Sequence, residues 1–112
     1  MRVISYFPVI ITMLLLLAPA AANAQEESYN RAIDAYIKRD FRAAADHLKE
    51  YVAKKPEAEA YYLLGYSTYM LCRKSGQNIP SAKKEAEEYF REAYLIDPDF
   101  SPKNINFQKA RK

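Results

Sequence analysis

The chain has 112 residues, with 17 Lys and Arg against 14 Asp and Glu, 10 Tyr, 2 Gly, one Cys and one His. A net charge of +3 is too close to neutrality to argue for nucleic acid as a partner. One Cys and one His exclude an internal disulfide framework and any metal site built on Cys and His spacing.

Met1-Arg2 is a short basic start, and Val9 to Ala18 is almost wholly apolar. Pro19 interrupts this run, and Ala22-Asn23-Ala24 places small residues where a signal peptidase reads them. These are the three parts of a secretory signal peptide. The apolar core falls short of the ~20 residues of a membrane span. We therefore expect residues 1–24 to be removed, leaving residues 25–112 as one exported domain in the bacterial periplasm or outside the cell. Without Arg2 the balance is 16 basic residues against 14 acidic. A domain of this length has a modest core and is marginally stable alone.

Glu26 to Lys38 reads as a first helix, with Tyr29, Ala32, Ile33, Tyr36 and Ile37 at helical spacing. Arg39-Asp40 is a tight turn, and Asp40 is the expected N-cap of the next helix. Phe41 to Lys54 follows, with Ala44, Ala45, Leu48, Tyr51 and Val52 inward. Lys54-Lys55 suits the helix dipole at its C-terminus, and Pro56 prevents continuation. Ala58 to Cys72 is a third helix. Tyr61, Leu64, Gly65 and Thr68 share one side, and Tyr62, Tyr66 and Tyr69 another. A glycine inside a helix costs ~1 kcal/mol relative to Ala, so Gly65 implies that another helix crosses closely there. Cys72 is either a buried helix residue or a thiol that cross-links two chains.

Arg73 to Ile79 contains Ser75-Gly76 and Asn78 and reads as a loop. Pro80 suits the first turn of a fourth helix running to about Ile96. Asp97 to Phe100 is a turn. Ser101-Pro102 opens a short polar helix over residues 101–112, whose Ile105 and Phe107 are expected to pack onto the fourth helix. No segment alternates as a strand does, so the fold class is all-α.

One frame occurs twice. Ala44, Leu48, Tyr51 and Pro56 have the same spacing as Ala86, Phe90, Ala93 and Pro98. Repetition of a helix-plus-proline frame marks a helical array. With Ala32 and Gly65 in the preceding helices, and the Leu95-Ile96-Asp97-Pro98 ending, these residues resemble the tetratricopeptide repeat family. The resemblance implies two helix-turn-helix repeats, about 25–56 and 57–98, plus a capping helix over 101–112.

There are three departures. Tyr51 stands where the family has a small residue, which implies looser packing in the first repeat. Gly65 to Ala86 is longer than Ala32 to Ala44, which puts an insertion near 73–79. That insertion is either tolerated loop growth or a recognition element with Arg73, Lys74, Gln77 and Asn78 at its tip. Two repeats are also fewer than the three that usually stack a continuous core.

The resemblance further implies a concave groove lined by the first helix of each repeat. Its residues would be Tyr29, Ile33, Tyr36 and Ile37, followed by Tyr62, Tyr66, Tyr69 and Met70. Tyr offers large contact area and a hydroxyl at low entropic cost. Family members that grip a partner's C-terminal carboxylate use Lys, Arg and Asn in the groove, so an apolar or aromatic protein segment is the expected ligand. The same tyrosines also suit half-buried packing between helices.

The first functional expectation is an exported, non-enzymatic protein-binding module with no cofactor and no metal. The alternative is a self-associating subunit of a periplasmic or envelope complex. A third reading places the basic stretch Lys103, Lys109, Arg111 and Lys112 on an anionic membrane surface, although charge runs usually serve solubility. His47, beside Asp46 on a helix, reads as a solvated surface residue.

Overall fold

The computed structural model describes residues 26–74, 80–105 and Phe107. The expected signal peptide over 1–24, most of the expected loop and residues 108–112 lie outside these. The described residues are helical and contain no strand. Helix α1 covers 26–37, α2 Phe41–Lys54, α3 Ala58–Lys74 and α4 Pro80–Ile96. No helix among the described residues is long and apolar enough to cross a membrane.

The joint between α1 and α2 is set by two backbone hydrogen bonds. Arg39 N–H donates to the Tyr36 carbonyl at 3.0 Å, and Asp40 N–H to the Ala35 carbonyl at 2.8 Å. This paired pattern is the Schellman ending of a helix, which favours Gly at the left-handed position. Here Arg39 occupies it, with φ 64°. The Asp40 side chain then accepts from Ala43 N–H at 3.2 Å and caps α2, as its position in the sequence suggests.

The core lies between α1, α2 and α3. Ala32, Ile33, Leu48, Ala60, Leu63 and Leu64 are essentially without solvent contact. On α2 the buried residues are the five inward ones expected, plus Phe41. Helix α3 is the middle element. It packs against α2 on one side and α4 on the other, so Ala58, Ala60, Leu63 and Ser67 are buried together with Leu64, Gly65 and Thr68. A helix covered on several sides shows no single apolar stripe.

Gly65 meets α4. A Cβ built there would lie 3.0 Å from the Phe90 ring and 3.1 Å from the Ala86 carbonyl oxygen. Ala86 and Ala93 are the buried residues of α4. The expected close crossing is therefore present, and small residues on both helices allow it.

Two expectations are corrected. Tyr51 does not loosen the first helix pair. It is buried, its ring centroid is 4.9 Å from that of Tyr29, and its hydroxyl donates to Glu57. The tyrosine fits because its polar end reaches the carboxylate at the α2–α3 turn, where Lys55 also approaches Glu57 at 3.3 Å. The expected helix over 101–112 is interrupted. Pro102–Asn104 forms one 3-10 turn, and Ile105 then turns extended at φ −70°, ψ 121°. Ser101 makes no side-chain cap hydrogen bond, which removes the support that would start a longer helix there.

Candidate binding cleft

An open cleft of about 330 Å³ lies at the C-terminal end of α1, beside α3. Tyr36 and Ile37 come from α1, and Tyr66 and Met70 from α3. These are four of the eight groove residues expected from the sequence. Arg39, Phe41 and Phe107 complete the lining. Tyr36 is its hub, with Phe41 edge-on at 5.8 Å, Tyr66 tilted at 5.8 Å, and Phe107 stacked at 5.7 Å with the planes 8° apart. Offset and edge-on pairs at such distances favour one another beyond simple burial. Burial, and then the neighbouring Tyr66 and Tyr62, push the Tyr36 hydroxyl up to about 12. At physiological pH it is a neutral group that can donate and accept. Arg39, its backbone held in the left-handed region, supplies the cationic group of the lining.

The other four expected residues lie elsewhere. Ile33 is 1% exposed and belongs to the core. Tyr29 is half-buried, lies against Tyr51 and donates its hydroxyl to Glu59. It joins α1 to α2 and α3, away from the cleft. Tyr62 sits in a second aromatic cluster, 5.3 Å from Phe90 and 5.5 Å from Phe100, with Tyr94 6.0 Å from Phe100. Burial, then Tyr94 and Tyr66, raise its hydroxyl pKa. Tyr69 is exposed and does not line the cleft. Helical spacing places a residue on a face. It does not say which part of that face a neighbouring helix covers.

Three lining residues escaped the sequence reading. Arg39 reads as a turn residue, and Phe41 as a helix start. Phe107 was expected against α4, but its ring lies on Tyr36 of α1. Ile105 is packed against the core. His47 is partly exposed on α2 and Cys72 is half-buried on α3. Among the described residues no group of His, Cys, Asp and Glu is placed to hold a metal ion. No family model, curated protein or solved structure matches the chain.

Proposed function

We propose that the chain is an exported, non-enzymatic module that binds an apolar or aromatic protein segment against the face formed by α1 and α3. The observation that carries this reading is the open cleft, whose walls are aromatic and aliphatic with one arginine. A cleft of this kind takes apolar side chains and fixes them with a few polar groups. Within the same reading, the four helices are two units of tetratricopeptide type. Its supports are contacts between like-placed helices: Tyr36 to Tyr66 joins α1 to α3, and Lys49 to Glu85, at 3.9 Å, joins α2 to α4. The close approach at Gly65 is its third support. Export follows from the leader pattern in the sequence.

The test is a photo-reactive residue at Ile37, which is 42% exposed at the cleft. It should capture a discrete exported protein. Capture should fall at least about tenfold with Met70→Ala, the 1.4 kcal/mol expected for one apolar anchor. Equal capture from a probe at exposed Lys84 of α4 would remove the reading.

A second reading, self-association, is favoured by one feature. Tyr94, Leu95 and Ile96 are exposed together at the end of α4, Leu95 by 67%. Sedimentation of the purified protein decides it. A monomer at tens of micromolar, roughly the range of weak association, ends it.

A further inference from the structure

The face that the proposed ligand would use already carries a piece of this chain. Phe100 sits between Tyr62 and Tyr94, and Phe107 stacks on Tyr36. Between these rings Pro102, Lys103 and Asn104 are exposed while Ile105 packs against the core, so the segment touches the domain through three apolar side chains. Its backbone hydrogen bonds over 100–105 are local. Phe100 N–H donates to Asp97, Asn104 N–H to Ser101 and Ile105 N–H to Pro102. Among the described residues, apolar burial and ring stacking are thus what attach it. Such attachment has no backbone hydrogen-bond ladder to break, so a segment that presents rings at like positions can take its place. Phe107 also leaves the cleft open beside it, with about 330 Å³ unfilled.

We propose that the segment carrying Phe100, Ile105 and Phe107 is a resident occupant of the tyrosine face, and that a partner segment bearing two aromatic side chains must displace it to bind. This rests on the reading of that face as a recognition surface and adds its regulation. A tethered occupant acts at an effective concentration in the millimolar range. It lowers the apparent affinity of any competitor by the fraction of time the face is open. The partner is then selected for having a second aromatic anchor. One ring alone competes with a two-ring resident and loses.

The experiment needs no natural partner. A labelled peptide of residues Pro98 to Lys112 is titrated into the full chain, purified as the cell delivers it, and into its Phe107→Ala variant. The variant should bind the peptide at least about tenfold more tightly than the unaltered chain, as expected when a resident competitor is released. Phe107→Tyr, which keeps the ring, should restore the weak binding. Equal affinity for all three overturns the proposal. So does absence of binding to the variant up to about 1 mM, the scale of a short tether.

If Phe107→Ala loses helicity, the unaltered chain supplies the answer by NMR. Excess unlabelled peptide should abolish the contact between the Phe107 and Tyr36 rings within the isotopically labelled chain, and persistence of that intramolecular contact overturns the proposal. The two ideas fail separately. Peptide exchange without any captured exported protein retains the occupant and removes the recognition role. Capture at Ile37 without peptide exchange does the reverse.

Discussion

Ser67 is completely buried on α3, and its hydroxyl finds no hydrogen-bond partner among the described residues. A buried polar group without a partner costs about 1–3 kcal/mol. Ser67→Ala should therefore stabilise the domain by about 1 kcal/mol, raising Tm by roughly 4–8 °C for a domain of this size. Thermal unfolding checks this, and an unchanged or lower Tm would contradict it. Tyr29 carries the opposite case. Its hydroxyl pKa is raised well above the ordinary value of 10.0, first by burial and then by its hydrogen bond to Glu59. A raised folded-state pKa contributes stability that is fully present below the unfolded pKa and lost as pH rises towards the folded one. The same sign holds for Tyr36 and Tyr89, both pushed up to about 12, with burial the largest cause in each. Stability should thus fall from pH 10 to 12. Tyr29→Phe should cost about 1 kcal/mol near neutrality, where the half-buried Glu59 carboxylate loses its donor, and should flatten the alkaline decline. An identical fall in urea-derived stability between pH 10 and 12 in both proteins would contradict this.

At the scale of the element, α2 was the most legible helix. A capping Asp40, five inward apolar residues and Pro56 just past its end all point the same way, and its bounds are those expected. Helix α3 was legible in existence and start but less so in orientation. Covered by neighbours on two sides, it buries Leu63 and Ser67 as well as the stripe through Leu64 and Gly65. One-sided periodicity cannot express that. Gly65 is legible because a destabilising residue in a helix interior needs a packing reason, and the reason is the Phe90 ring and the Ala86 carbonyl at about 3 Å. Gly65→Ala gains ~1 kcal/mol of helix propensity, but overpacking costs about 1–3 kcal/mol. The Ala86 oxygen is main chain within a helix and cannot step aside. A net loss of about 1 kcal/mol is expected in chemical denaturation, and a net gain would mean that α4 shifts freely.

At the scale of the molecule, the eight residues named from the resemblance divide between one cleft and its surroundings. Half of the expected residues line the cleft, because Tyr36, Ile37, Tyr66 and Met70 lie towards its open end. Ile33 is drawn into the core, Tyr29 is turned to a carboxylate, and Tyr62 is claimed by Phe90 and Phe100. Those assignments depend on long-range neighbours, which no local spacing encodes. The course of the last segment was the least legible, since a single turn followed by an extended residue carries no periodic signal. The ion pair between Lys49 and Glu85 links α2 to α4 but is about half exposed on both sides. It serves as a marker of helix placement, since exposed pairs contribute little to stability.

The aromatic arrangement has a practical corollary. The chain has 10 Tyr and no Trp, so its near-ultraviolet spectrum comes from tyrosine with a minor phenylalanine part. Rings at Tyr36 and Tyr62 lie within coupling distance of Phe107 and Phe100. Any molecule arriving at that surface perturbs chromophores already in place. Near-ultraviolet circular dichroism thus gives an unlabelled optical test of the proposed binding, without a dye.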